Sequence, residues 1–369
     1  MTGERFPRAM VVLLTIAGAV ITLAGIRAVS SIFGPVVLAL VLVIAVAPVR
    51  GWLAARGAPV WVLVAVPLLI VLTVLLGMVT VLAVSVAQLA SIIPTYSDRF
   101  TALTDQAREF AARFGVGTEQ VNQALAAFDP SQVFQLVQTL FGGLLSIGSS
   151  LFLIAVLLLA MCLDAGAFGR IVSSGSDRRP ALVNALAEFG RRTRRYLVVS
   201  TVFGMLTATL DVGALILLDV PLPLLWGVLA LITIYIPNIG FIIGLVPPAL
   251  LGLLDGGVRT MVLVIIAYSA INVVTQSFIL PKFLGDAVGL STTVTLLSLI
   301  VWTFVLGPLG AILAIPLSLL TRALLIDSDP SATWAAALIS LEEPEDARGP
   351  EKAAGKTAEG GDDAEPGPR

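Results

Sequence analysis

Long apolar runs separated by short polar stretches set the pattern of this chain. A helix needs about 20 apolar residues to cross a hydrocarbon layer about 30 Å thick, and eight runs are of that order. They are Ala9–Ile26, Ile32–Val49, Val60–Ala87, Leu144–Leu163, Leu197–Leu218, Leu222–Leu254, Thr260–Leu280 and Leu290–Ile326. The expected fold class is therefore an all-α polytopic membrane protein with about eight membrane segments. The first run follows Arg5 and Arg8 and lacks a clear small-residue cleavage site before Arg27. It reads as a signal anchor rather than a cleaved leader.

Two runs are too long for one crossing. At 1.5 Å per residue, Leu222–Leu254 and Leu290–Ile326 would reach roughly 50 and 55 Å as straight helices. Each is interrupted near its centre, by Pro237, Asn238 and Gly240 in the first and by Gly307, Pro308 and Gly310 in the second. Two readings stand: long tilted helices kinked at proline, or two re-entrant helical hairpins whose tips meet in a cavity. Paired, interrupted apolar segments point to a transport site.

The polar stretches complete the organisation. Residues 1–89 hold the first three helices, and 90–143 form a polar insert with amphipathic spacing: Phe100, Leu103, Ala107, Phe110 and Phe114, then Val133, Leu136, Val137, Leu140 and Phe141 after the Asp129–Pro130 start signal. Residues 144–196 carry the fourth span and a basic loop, 197–326 the C-terminal core, and 327–369 an acidic Gly/Pro/Ala-rich tail expected to be disordered. Basic residues concentrate on one side, at Arg5, Arg8, Arg50, Arg56, Arg170, Arg178, Arg179 and the Arg191–Arg195 cluster. The positive-inside rule then puts both termini in the cytoplasm and the insert outside. Eight crossings and six crossings plus two hairpins satisfy that rule equally well.

Composition narrows the function. The chain is 57% hydrophobic and 12% charged, with a net charge of -2, which speaks for a lipid bilayer as partner and against nucleic acid. Histidine is absent and Cys162 is the single cysteine, so no metal, no cofactor and no disulfide is expected. No GxSxG, HExxH, Walker loop or CxxC occurs, and no enzyme activity is expected.

Asp211 is the outstanding polar residue. An aspartate inside a span costs on the order of 3 kcal/mol, which makes it a candidate for proton or ion coupling; the alternative is a local bond to a hydroxyl such as Thr207. Asn272 and Gln276, four residues apart on one helix face, and Asn238 at the first break are candidates for a substrate pathway with Gly240, Gly307 and Gly310. Pro237, Pro247, Pro281, Gly285, Pro308 and Pro316 are candidate hinges.

The stretches "VPLPLLWGVLALITIYIPNIGFIIGLVPPALL" (Val220–Leu251), "QSFILPKFLGDAVGL" (Gln276–Leu290) and "LGPLGAILAIPLSLL" (Leu306–Leu320) resemble the autoinducer-2 exporter family, also called PerM-like permeases. The resemblance implies interlaced C-terminal hairpins, a homo-oligomer (a pentamer in particular) in the cell membrane, and export of a small molecule such as a quorum-sensing signal. For some members it implies sodium or lithium/proton antiport instead. Phe241, Ser291, Thr292 and Pro308 depart from the family pattern near the hairpin tips, where substrate is chosen. Outside transport, a membrane scaffold that recruits partners through its insert or tail is the remaining reading.

Overall fold

A computed structural model describes residues 8–96, scattered positions between 99 and 113, 151–167, 179–237, 239–279 and 289–329. Among these, every regular element is helical. In chain order they are α1 (Arg8–Ala28), α2 (Ser30–Ala55), α3 (Val60–Ile92), α4 (Leu151–Ala167), α5 (Pro180–Leu217), α6 (Pro223–Thr233), α7 (Gly240–Asn272), α8 (Thr292–Leu306), α9 (Pro308–Ile312) and α10 (Ala314–Arg322). Among the described residues, four stretches are long and apolar enough to cross a membrane: α2, α3, α5 and Gly240–Gln276. Their lipid-type exteriors follow from composition, with Leu69, Val74, Val202, Leu217 and Ile266 exposed. Phe100, Leu103, Ala107 and Phe110, the 114–143 part of the insert, the tail from 330, Asn238, Pro281 and Gly285 lie outside the described residues.

Both interrupted runs fold back on themselves. In the first, α6 is only 11 residues long, roughly 16 Å against a 30 Å layer, and after a turn through Pro237 the chain returns as the first part of α7. The return is so close that a Cβ on Gly240 would stand 1.9 Å from the Thr233 carbonyl oxygen, and one on Gly244 would stand 3.2 Å from Thr233 Oγ1. In the second, α8 stops at Gly307, whose φ of 67° suits glycine, and α9 and α10 run back along it. Here a Cβ on Gly310 would stand 1.9 Å from the Trp302 carbonyl oxygen, and Trp302 Nε1 donates to Ser318 Oγ across the two arms at 3.2 Å. These glycines close each hairpin on itself.

Each hairpin has its own apolar bed. Leu225, Trp226, Ala249 and Leu251 of the first pack with Val86 of α3, Leu215 of α5 and Tyr268 of α7. Leu299, Trp302, Val305, Ala311, Ala314 and Leu317 of the second pack on Val37 and Val41 of α2. The proline positions serve these arms: Pro308 opens α9 where no amide partner is needed, Pro247 lies inside α7 and Pro316 is buried in α10.

Polar contacts fasten the end of the first hairpin to α3 and join the two ends of the second. Gly257 (φ 74°) breaks α7 into two arms. Arg99 donates to the carbonyls of Leu254, at 3.2 Å, and Asp255, while Tyr96 donates its hydroxyl to Asp255 Oδ1 at 2.9 Å. The turn between the arms is thus fastened to the far end of α3. At the opposite pole Arg322 donates to the Gly289 carbonyl and to Asp327 Oδ1, joining the start and finish of the second hairpin. The Arg191–Arg195 cluster sits beside this pole on α5, a single helix of 38 residues, where the sequence pattern had suggested a loop. Glu188 explains the difference: it pairs with Arg191 and Arg192 at helical spacing and carries the helix through the basic stretch.

Two experiments check these closures. Gly240→Ala and Gly310→Ala are expected to cost about 1–3 kcal/mol each by overpacking, read as lower thermal midpoints in detergent, whereas Gly51→Ala, with nothing within 4 Å of the new methyl, leaves the midpoint unchanged. The second concerns Tyr96, whose hydroxyl pKa is pushed up to about 12, by burial first and then by its bond to and repulsion from Asp255, with Arg99 opposing. Its contribution to stability is full below the ordinary value of 10.0 and is lost as pH rises through about 12. In a spectrophotometric titration, Tyr96→Phe should delete this transition, and Asp255→Asn should move it part of the way down because burial remains.

Candidate functional site

Behind the turn of the first hairpin lies a small cleft, part of it open to the outside. Four pieces of chain build it. α5 supplies Thr207 and Asp211; α6 supplies Ala230 and Thr233, with Ile234 just beyond; the first arm of α7 supplies Gly240, Phe241 and Gly244. The second arm and its extension supply Tyr268, Asn272 and Gln276. The regularity of helices puts these groups together: Thr207 and Asp211 are four apart on one face of α5, and Tyr268, Asn272 and Gln276 repeat every four residues on the facing helix. Immediately after Asn272 the helix widens into a π-helical stretch, Val273–Ile279, a distortion found mostly at functional positions.

The polar side chains of the cleft are satisfied very unevenly. Thr207 donates to Thr275 Oγ1 at 3.2 Å, and Thr275 in turn donates to the Ile271 carbonyl at 2.7 Å, tying α5 to the second arm. Thr233 donates to the Ala230 carbonyl. Asn272 Nδ2 donates to the Tyr268 carbonyl at 3.0 Å, and Gln276 Nε2 donates to Asn272 Oδ1. Asp211, only 1% exposed, has neither oxygen bonded, and the Tyr268 hydroxyl, equally buried, is unbonded as well. A carboxylate stripped of both water and partners is among the costliest groups to bury. Its presence at a cleft marks a place where a proton or a ligand completes the bonding.

Four of the residues singled out from sequence therefore meet here: Asp211, Gly240, Asn272 and Gln276. The local bond from Thr207 to Asp211 does not form, since Thr207 turns to Thr275. Gly307 and Gly310 do not reach the cleft; they lie at the turn of the second hairpin, where Leu309 fits against Gly34 of α2. Pro237 is in the turn beside the cleft, and Pro247 lies farther along the same first arm of α7. Tyr268, Thr233 and Thr275 escaped notice, although Tyr268 precedes Asn272 by the same four residues that separate Asn272 from Gln276. Among the described residues no group of three or more acidic, cysteine or histidine side chains could hold a metal ion.

Comparison with known proteins agrees with this architecture. A sequence model described as AI-2E family transporter matches residues 12–327. The AI-2 transport protein TqsA of Escherichia coli (strain K12) is 28% identical over 307 residues, covering 82% of this chain and 88% of that protein. The putative transport protein YhhT of the same organism is 28% identical over 309 residues, 84% of this chain and 88% of its own. A putative transport protein of Haemophilus influenzae is 28% identical over 342 residues, covering 90% and 97%. With a match across nearly the whole chain, a bundle of apolar helices and no enzyme among these relatives, the protein is a multi-pass membrane transporter and belongs to the AI-2E family.

Proposed function

We propose that this chain is a secondary transporter that exports a small polar solute by alternating access, with the Asp211 cleft as the solute's station inside the membrane. The observation that carries the reading is the buried Asp211 carboxylate, both oxygens unbonded, facing a cleft behind a broken hairpin. Asp211 couples solute movement to a proton or ion. Asn272, Gln276, the Gly240 turn and, outside the described residues, Asn238 line the route, and Gly307 and Gly310 form the counterpart turn of the second hairpin. The prolines Pro237, Pro247, Pro281, Pro308 and Pro316, with Gly285, act as hinges. TqsA, by its name, transports AI-2, and a small signal or metabolite is the class of solute that this reading assigns to the present chain.

The hairpins re-enter rather than cross. In support, the bond from Arg322 to the Gly289 carbonyl joins the two ends of the second hairpin, and Tyr96 meets Asp255 at the end of the first, with α3 emerging on that same side. A six-crossing bundle with both termini in the cytoplasm of a bacterial inner membrane follows, assembled as a homo-oligomer such as a pentamer. A second reading, sodium or lithium/proton antiport, is favoured by the same carboxylate, since an oxygen-only ligand suits a hard cation.

In proteoliposomes, Asp211→Asn is expected to abolish the dependence of solute flux on an imposed pH gradient and to lower flux at least about tenfold, one charge-assisted bond's worth. Undiminished, still pH-dependent flux would remove Asp211 from the mechanism, and flux no faster than in empty vesicles would leave the scaffold reading. Single cysteines at Asp255 and Lys282 should label from opposite sides of the membrane, Asp255 from outside, if the first hairpin re-enters.

A further inference from the structure

The chemical class of the solute follows from which hydrogen-bonding valences the cleft leaves open; this step rests on the cleft being the transport site. Once the internal bonds are drawn, the hydroxyl protons of Thr207, Thr233 and Thr275 are all committed to other protein atoms. What stays open is mostly accepting: both oxygens of Asp211, lone pairs of Thr207 and Thr233, and the side-chain carbonyl of Gln276. Donors are few, namely the Tyr268 hydroxyl and one remaining amide hydrogen each on Asn272 and Gln276. Among the described lining residues, Asp211 and Tyr268 are the titratable ones, and neither lysine nor arginine is present. When Asp211 is ionised, nothing in the described lining neutralises its charge, and two aromatic rings, Phe241 and Tyr268, border it.

That inventory excludes whole classes of solute. A phosphate, sulfonate or carboxylate would meet Asp211 at close range with no cation to hold it. A neutral polyol would leave the carboxylate uncompensated, because hydroxyl groups bring an acceptor for every donor. An ammonium group brings three donors, a full charge and no acceptor, which matches the surplus, and aromatic borders suit a cation. The few protein donors on the opposite helix need an acceptor on the same solute. We infer that the Asp211 cleft takes a small primary ammonium that carries a hydroxyl or carbonyl oxygen within two or three bonds, an amino-alcohol type of molecule.

The pairing has a mechanical corollary. One carboxylate can hold the ammonium or a proton, not both, so solute leaving in one direction exchanges for a proton entering in the other. No other titratable side chain among the described lining residues except Tyr268 shares that duty.

The test uses the full-length protein in lipid nanodiscs, with radiolabelled ethanolamine, ethylene glycol, glycolate and sodium as probes. Saturable ethanolamine binding is expected, strongest at mildly alkaline pH and competed away by acid, while ethylene glycol and glycolate fail to compete. Asp211→Asn, which removes a buried charge and keeps the shape, should weaken ethanolamine binding about tenfold or more. Tyr268→Phe should weaken ethanolamine several-fold and leave the binding of methylammonium, which has no oxygen, unchanged; circular dichroism verifies that both variants are folded. Equal competition by ethylene glycol or glycolate, or unaltered ethanolamine binding in Asp211→Asn, overturns the inference. If some other solute shows Asp211-dependent flux while ethanolamine neither binds nor competes, the ammonium assignment falls and the transporter reading stands. Sodium binding that ethanolamine cannot displace assigns the cleft to an alkali cation and likewise overturns it.

Discussion

Within a hydrocarbon layer an amide or carbonyl has no water to turn to, and each one left open costs several kcal/mol. Any chain that reverses direction there must close its own backbone bonds, and among the described residues the two hairpins do so mainly with local contacts. In the first turn Ile236, Ile239 and Gly240 donate to Thr233, Pro237 and Ile236, and Tyr196 of α5 donates to the Tyr235 carbonyl. In the second, Gly307, Gly310 and Ala311 donate to Thr303 and back to Gly307 itself. Side chains at Gly240 or Gly310 would occupy the space that the opposite carbonyls already fill. The short arms, the tight turns and the beds they pack into all follow from this requirement.

The two hairpins solve the same problem and leave different interiors. The second fills its inner face with Trp302, Leu313 and Leu317 and uses one polar pair, Trp302 with Ser318, as an internal tie. The first leaves a cleft where Thr233, Gly240 and Gly244 meet Asp211 of α5. A packed interior and an open cleft are thus built from similar pieces, and their difference lies in what the neighbouring helix contributes. Thr201 of α5, bonded to the Tyr235 hydroxyl at 2.6 Å, fixes the rim of that opening.

Much of this was legible in the chain itself. Apolar runs of bilayer length announce spans, and a 33-residue run with Pro-Asn-Ile-Gly at its centre cannot be one straight crossing. Asp211 stood out because a charge in an apolar helix has to be compensated. Pairings across long sequence separations were not legible: Thr207 meets Thr275, 68 residues on, and Tyr268 reads as a core aromatic until Asp211 is seen beside it in the same cleft. The basic stretch after Glu188 was misjudged as a loop, because charge density was weighed ahead of the Glu/Arg spacing that favours a helix. Gly307 and Gly310 repeat the interruption seen at Gly240, and in the structure Leu309 beside them fits against Gly34 of α2.

The uninterrupted course of α5 has a further bearing on how the protein works. Nineteen residues separate Arg192 from Asp211 on a helix without a break among its 38 residues, about 28 Å of stiff rod. A tilt of only about 5° about the arginine end would carry the carboxylate roughly 2 Å sideways, comparable to the difference between a formed and a broken hydrogen bond. The arginine cluster and the buried acid are thus the two ends of one stiff rod, so a displacement at either end is carried to the other.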